Sequence, residues 1–274
     1  LQYQDSIMLK KTFFYIGFQD VFAALSEYLL PCILAWQDIS VRYKRSKIGQ
    51  FWLTLNTLVY IASLGLIFGT LFRFNLHEYL PNICAAILIW NFMTASISEG
   101  CQAFIGADSI ILQVKLPFFI HIMRAVFRNA IIFGHNIIIF PIIAFSVGYT
   151  MNFYALLAIP GLFFILINLL WVCTILSVLC TRYRDLHQVV TSILQIMFYA
   201  TPVVWDAKIL PATVSPLWVH LNPFHNFIEL VKLPLLGYPP KASEWLFCGA
   251  LAVVGWCLAF CVLGKYKQRI AYWL

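Results

Sequence analysis

The feature that most constrains this chain is a set of long segments that contain no Asp, Glu, Lys or Arg. Such segments cover residues 48–72, 79–98, 129–181, 186–205 and 245–264. A helix needs roughly 20 apolar residues to cross the hydrocarbon core of a bilayer, and these runs reach about that length. The run 129–181 is long enough for two helices, and the turn-forming Gly and Asn between residues 146 and 152 divide it. Since 62% of the residues are hydrophobic and 11% charged, a soluble fold is excluded.

The chain is therefore predicted to be an all-α integral membrane protein with six transmembrane helices in one domain, residues 1–274. The predicted spans lie near residues 48–72, 80–104, 118–145, 153–180, 187–205 and 245–264. Residues 265–274 are predicted to form a cytoplasmic tail. An even number of spans places both termini on one side of the membrane.

The distribution of basic residues predicts which side that is, because Lys and Arg accumulate in cytoplasmic loops. Of the 18 Lys and Arg residues, only Arg73, Lys208, Lys232 and Lys241 fall on the other side of the predicted spans. Both termini are thus predicted to be cytoplasmic. The net charge of +7 reflects this topology and does not indicate a nucleic-acid partner.

A basic segment, WQDISVRYKRSKIGQFW, occupies residues 36–52 and leads into the first predicted span. On a helical wheel, Cys32, Ile33, Trp36, Ile39 and Tyr43 share one side, and the charged residues lie opposite. The pattern predicts an amphipathic helix over residues 22–47 that lies in the membrane interface. Within it, Asp38 and Arg42 are four residues apart and are predicted to pair.

The four cations of this segment, Arg42, Lys44, Arg45 and Lys47, allow two interpretations that are compatible. They are typical of cytoplasmic anchoring. They also suit the capture of a phosphate or diphosphate headgroup, for which Arg offers a bidentate fork. In the third span, Arg124 and Arg128 are predicted to extend toward the lipid headgroups. Glu99 is predicted to pair with a nearby cation.

Three spans carry polar residues along one face, which is costly in hydrocarbon unless those groups are satisfied. Such a face either makes hydrogen bonds between helices or lines a polar passage. Its members are Trp52, Asn56, Tyr60 and Ser63 in span one, Asn91, Thr94, Ser98 and Gln102 in span two, and Gln188, Thr191, Ser192, Gln195 and Tyr199 in span five.

Residues 206–244 form the longest segment between two predicted spans and contain six prolines. These prolines exclude one long helix, yet 217–221 and 224–231 remain strongly apolar. The segment is predicted to form short re-entrant or interfacial helices before the last span, and an ordinary folded loop remains the alternative.

The order of several motifs resembles that of permease subunits of ATP-binding-cassette exporters for polysaccharides, the O-antigen, capsule and teichoic acid group. The resemblance covers essentially the whole chain. It rests on the segment 36–52, on Lys115-Leu116-Pro117, on Arg182-Tyr183-Arg184-Asp185, on Thr201-Pro202-Val203 and on Asn222-Pro223. One position departs from the pattern, because Asp108 stands where an Asn is expected.

The resemblance implies a homodimer in the inner membrane of a bacterium, bound to two ATP-binding subunits that hold ATP and Mg. It implies export of an undecaprenyl-diphosphate-linked polysaccharide, with O-antigen favoured and capsule or teichoic acid as alternatives. Spans one and five would line the channel through Trp52, Asn56, Tyr60, Ser63, Thr191, Gln195 and Tyr199, and 206–244 would gate it from outside. A short helix between spans two and three would contact the ATPase through Asp108, Ser109, Ile110, Ile111 and Lys115.

Other classes of function are disfavoured by the residues themselves. No GxxxxGK[ST] sequence occurs, so the chain is not predicted to bind nucleotide through a P-loop. The acidic residues are scattered, which disfavours a membrane transferase, and the centres of the spans lack the ionisable groups of an ion-coupled carrier. The eight cysteines form no CxxC pair and are interpreted as small buried hydrophobes, so no cofactor or metal is predicted in this chain.

Overall fold

The computed structural model describes residues 2–44, 51–71, 73–150, 152–205 and 217–274, with side chains from residue 13 onward except at 43 and 217. Within these ranges the chain forms helices and no strand. The helices are α1 (Gln2–Ser26), α2 (Leu29–Tyr43), α3 (Phe51–Leu71), α4 (Leu76–Cys101), α5 (Asp108–Gln113), α6 (Phe119–Asn136), α7 (Ile139–Ser146), α8 (Ala158–Arg182), α9 (Leu186–Ala200), α10 (Leu217–His220), α11 (Pro223–Leu235) and α12 (Ala242–Trp273).

Five of the six predicted spans are confirmed as segments long and apolar enough to cross a membrane, counted over the described residues. They are α3, α4, the pair α6 and α7, α8 with the short 3₁₀ turn before it, and α12. The break between α6 and α7 follows from Pro141, since a proline cannot donate a hydrogen bond to the carbonyl four residues earlier, at Ile137.

The fifth predicted span, 187–205, is shorter in the structure than the sequence indicates. Helix α9 has 15 residues, which corresponds to about 22 Å of helix and falls short of a bilayer core of about 30 Å. It ends because Pro202 follows Thr201, whose backbone is extended at φ −97° and ψ 138°. A residue before proline avoids the helical region.

The predicted interface helix, 22–47, begins too early. The chain bends by 69° between Ser26 and Leu29, so that residues 22–26 belong to α1 and only α2 corresponds to the amphipathic segment. Residues 45–47 lie outside the described part of the chain. Cys32, Ile33 and Trp36 are exposed as a face against acyl chains requires, but Ile39 is buried against the protein.

Helices α1 and α12 pack side by side with close backbone contact. At Gly17, a Cβ atom would collide with the carbonyl oxygen of Phe260, and at Gly264 one would collide with the carbonyl oxygen of Phe13. The small residues therefore allow the two helices to approach each other. Helix α12 continues to Trp273, so the segment 265–274, predicted as a tail, is almost entirely an extension of the last span.

The prediction of short helices before the last span is confirmed by α10 and α11. Helix α11 is buried among α4, α8 and α12, and a Cβ at Gly161 of α8 would collide with the carbonyl oxygen of Leu230. Gly237 ends the helix at φ 79°, where the amide of Tyr238 donates to the carbonyl of Leu233 at 2.9 Å. This is the left-handed C-terminal cap that glycine favours.

Candidate functional site

Helix α2 is held against the bundle by four charged residues, Asp38, Glu99, Arg124 and Arg128, which we call the ion cluster. Arg124 donates two hydrogen bonds to Asp38, from Nε at 2.8 Å and from Nη2 at 2.5 Å. Arg128 donates to Asp38 at 2.6 Å and to Glu99 at 2.7 Å. The cluster connects α2, α4 and α6.

Two sequence predictions about these residues are wrong, and one is confirmed. Asp38 binds Arg124 and Arg128 instead of Arg42, because its side of α2 faces α6. For the same reason the two arginines do not extend to the headgroups, and their side chains are only 20% and 17% exposed. Glu99 pairs with a cation, Arg128, as predicted. The signal for the cluster was the four-residue spacing of the two arginines, which places both on one helical face.

Only part of the predicted headgroup site lies within the described residues. Arg42 is half exposed, and its Nη2 lies 4.0 Å from a carboxylate oxygen of Glu99. Lys44 is exposed at the end of α2. Arg45 and Lys47 lie outside the described residues, so the convergence of the four cations on one headgroup stays a prediction.

A cavity of about 330 Å³ opens beside the ion cluster. Its walls come from the end of α4, the turn after it, and the first turns of α6 and α9. The polar lining residues are Ser98, Glu99, Gln102, His121, Arg124, Arg128 and His187. Ser98 and His187 are joined across the cavity at 3.2 Å, and His121 is 2% exposed. Neither histidine was predicted to belong to a site, because nothing in the sequence spacing of His121 and His187 links them.

Other charged contacts lie at the same end of the bundle, which we call the basic end. The Nζ of Lys267 lies 2.7 Å from the carboxylate of Asp20, and that carboxylate accepts a hydrogen bond from the amide of Phe119 at 3.0 Å. Asp20 thus connects α1 and α12 to the start of α6, where a negative charge is favoured by the helix dipole. The guanidinium of Arg182 lies over the rings of Tyr183 and Trp273.

The predicted channel residues lie on surfaces that a single copy leaves open. On α3 and α9 the exposed members are Trp52, Asn56, Tyr60, Ser63, Gln195 and Tyr199, while Thr191 is half-buried. Helix α4 differs, because Thr94 donates to the carbonyl of Trp90 at 2.9 Å and Ser98 contacts His187.

The predicted short helix between spans two and three is confirmed as α5. Asp108, Ser109 and Lys115 are exposed, and Ile110 and Ile111 are half-buried. Leu112 and Val114 add apolar surface at the same place, with exposed fractions of 62% and 50%. The backbone becomes extended at Val114, shortly before Pro117. Whether these residues contact a partner stays a prediction.

A second group of charges lies in α11, at the end of the bundle opposite the basic end. Glu229 and Lys232 form an ion pair and are each 9% exposed, and the Nδ1 of His225 lies 4.0 Å from Glu229. From the sequence, residues 224–231 were described only as strongly apolar, so this group of charges was missed. The spacing of Glu229 and Lys232, three residues apart, was the available signal. Among the described residues no group of His, Cys, Asp and Glu suits a metal ion.

Comparison with known proteins decides the family. The model of the ABC-2 type transporter family matches residues 31–236, which include the ion cluster, the cavity, α3, α5 and α9. This chain belongs to the ABC-2 type transporter family. As an ABC-2 protein it is a multi-pass membrane protein and a transporter subunit rather than an enzyme, and its partners are ATP-binding cassette subunits.

Full-length relatives of this ABC-2 protein carry a more specific name. It is 26% identical over 248 residues to the O-antigen export system permease protein RfbA of Klebsiella pneumoniae, covering 88% of this chain and 93% of the relative. It is 22% identical over 237 residues to the protein of the same name from Myxococcus xanthus, covering 86% of this chain and 90% of the relative.

Proposed function

We propose that this chain is the membrane-spanning permease subunit of an ATP-driven exporter that moves a polysaccharide, O-antigen, out of the cytoplasm. The observation that carries the proposal is the similarity along nearly the full length to permeases named for O-antigen export. The polymer travels on a lipid diphosphate carrier, in keeping with the basic residues at the membrane interface.

The passage forms between two copies of the chain. Helices α3 and α9 expose Asn56, Ser63 and Gln195, and such polar groups are unfavourable against lipid tails. The aromatic rings of Trp52, Tyr60 and Tyr199 on the same faces offer apolar surface to the C–H groups of sugars. A second copy that presents the same faces gives all these groups water, sugar or protein as neighbours.

The energy comes from two ATP-binding subunits, which hold ATP and Mg. They dock at the basic end, where α5 presents exposed Asp108, Ser109 and Lys115 beside the apolar Leu112 and Val114. The basic end faces the cytoplasm of a bacterial inner membrane, because it carries the residues that the positive-inside rule places there. The helices α10 and α11 then lie on the outer side and gate the passage.

The test of this proposal is export by a charge-reversed permease. The double variant Arg42→Glu and Arg45→Glu is expected to abolish surface polysaccharide in cells that lack their own permease, because the diphosphate then meets negative charge. A matched variant, Lys265→Glu and Arg269→Glu, reverses two charges on α12 and is expected to export normally. Both proteins should insert and co-purify with the ATPase. Normal export by the first variant would refute the headgroup role, and absence of a co-purifying ATPase would refute the exporter.

A further inference from the structure

The cavity beside the ion cluster has the features of a ligand site that the proposed passage does not use. Its volume of about 330 Å³ corresponds to roughly ten water molecules, at about 30 Å³ each in the liquid. It therefore holds a group the size of a diphosphate together with some water. The walls combine apolar and polar groups, and two guanidinium groups, those of Arg124 and Arg128, line it.

The charges around the cavity are not balanced. The charged side chains that line the cavity are Arg124, Arg128 and Glu99, two positive and one negative. Asp38, which binds both arginines, does not line it. Within the described part of the chain, Arg124 uses Nε and Nη2 for Asp38, and its Nη1 makes no hydrogen bond. The cavity thus offers an anion one surplus positive charge and one free donor group.

A second observation points to a ligand independently of the arginines. His121 lines the cavity and is 2% exposed, and its Nδ1 has no hydrogen-bond partner among the described residues. Buried polar atoms are nearly always satisfied, and each exception calls for water, an ion or a ligand. A bound phosphate group would supply the missing partner, since its oxygens accept hydrogen bonds and its hydroxyl donates one.

We propose that this cavity is an anion site that binds a phosphate or diphosphate group through Arg124 and His121, in exchange for the carboxylate of Asp38. The anion and Asp38 compete for the same guanidinium. When the anion binds, Asp38 keeps only its hydrogen bond to Arg128 Nη1, and α2 is held less tightly against α6. A lipid headgroup and a free anion share this chemistry, and only the lipid source rests on the proposed function.

Binding of inorganic diphosphate to the purified protein in phosphatidylcholine nanodiscs tests the site, with the dissociation constant measured by calorimetry. Arg124→Gln is expected to weaken binding at least about tenfold, because charge-assisted hydrogen bonds are lost. The matched variant Arg184→Gln removes a positive charge elsewhere at the basic end and is expected to change the constant less than about twofold. Wild-type protein that binds no diphosphate, or equal binding by Arg124→Gln, would overturn the proposal.

The variant Asp38→Asn gives a result that damage to the fold cannot imitate. It removes the competing carboxylate, so diphosphate is expected to bind several-fold more tightly than to the wild type. Diphosphate should also speed amide hydrogen exchange in α2 of the wild type, relative to chloride at equal ionic strength. Weaker binding by Asp38→Asn would contradict the exchange of anion for carboxylate.

A second probe distinguishes the two sources of the anion. Undecaprenyl diphosphate is incorporated into the nanodiscs, and its competition with inorganic diphosphate is measured. Competition identifies the lipid headgroup as an occupant of the cavity, whereas its absence identifies a free anion, and either result supports the site. Because no step requires export or the ATPase, a failure of the proposed function leaves this measurement interpretable.

Discussion

Helices α3 and α4 are neighbours in the chain and pack against each other, yet their surroundings differ. Their most apolar windows have mean hydropathies of 1.7 and 1.5, but 11% of the window is buried in α3 and 72% in α4. Hydropathy thus identifies both as membrane helices and does not distinguish them. What surrounds each helix depends on packing that only the folded chain shows.

The polar residues of the two helices explain the difference. In α4, Thr94 bonds to its own backbone and Ser98 contacts His187 inside the protein. In α3, Asn56, Tyr60 and Ser63 lie on open surface. Helix α4 therefore lies at the centre of the bundle, whereas α3 leaves its polar side chains exposed, where the proposed second copy would cover them.

The largest effect on stability is expected in the buried part of the bundle, at Gly161 of α8. Gly161→Leu places side-chain atoms where the carbonyl of Leu230 lies and should lower the free energy of unfolding by about 3 kcal/mol, or prevent folding. The control is Gly134→Leu, since a Cβ at Gly134 has open space around it. Thermal unfolding in detergent measures both. Equal melting temperatures for the two variants would show that α8 and α11 are not in close contact.

A smaller loss of stability is expected when the ion cluster no longer holds α2 against the bundle. Arg128→Gln removes charged hydrogen bonds to Asp38 and Glu99 and should reduce stability by about 2 kcal/mol. Arg184→Gln, at an exposed arginine, should cost less than about 0.5 kcal/mol. Chemical unfolding followed by tryptophan fluorescence compares them. The double variant Arg128→Gln and Glu99→Gln should lose less free energy of unfolding than the sum of the losses of the two single variants. A loss equal to that sum would contradict the pairing of Arg128 with Glu99.

Acid is expected to reduce the stability of α11, which packs against α4 at the end of the bundle opposite the basic end. Burial lowers the pKa of His225 to about 4 from 6.5; Glu229 acts in the opposite direction, and Lys232, His220 and Lys241 act in the same one. The unfolded segment therefore takes up a proton below pH 6.5 that the folded one refuses, and stability falls as the pH falls toward 4. One pH unit within this window costs about 1 kcal/mol.

Amide hydrogen exchange of residues 223–235 at pH 6.5 and about pH 5.5, corrected for the intrinsic rate, measures this loss. The variant His225→Gln has no titrating group at this position and should show no such acid sensitivity. If wild type and variant respond alike, the burial of a neutral His225 is not the cause.

The smallest effect on stability is expected on the open face of α3. Asn56→Leu should change the free energy of unfolding of the purified chain by less than about 0.5 kcal/mol, because Asn56 is exposed. Surface polysaccharide in complemented cells should fall, because an apolar side chain then faces the sugars. Unimpaired export would indicate that this face of α3 contacts lipid and lines no passage.

Much of the fold could be predicted from the sequence because membrane spans are local features. Five of the six predicted spans are helical segments of adequate length, and the prolines of 206–244 indicated the short helices there. The early end of α9 could also be predicted, since Pro202 disfavours a helical conformation at Thr201. The close packing of α1 on α12 depends on Gly17 and Gly264, which face distant backbone, and no local pattern shows this.

The site was predictable only where a contact is local in the chain. Asp38 was paired with Arg42 because the two are four residues apart, whereas its true partners, Arg124 and Arg128, are 86 and 90 residues away. The sequence predicted that Glu99 pairs with a cation, because an unpaired carboxylate in a span is costly, but it did not identify which cation. His121 and His187 meet at one cavity only through the packing of α4, α6 and α9.

The central claim is that the α3 faces of two copies lie opposite each other, and a distance between spin labels tests it most directly. The exposed cysteines Cys32, Cys257 and Cys261 are changed to serine, a label is attached to Tyr60→Cys, and pulsed electron paramagnetic resonance is recorded in nanodiscs with the ATPase bound. The account predicts one narrow distance between the two labels of a dimer. An absence of dipolar coupling, which indicates a single copy with α3 in lipid, would contradict it.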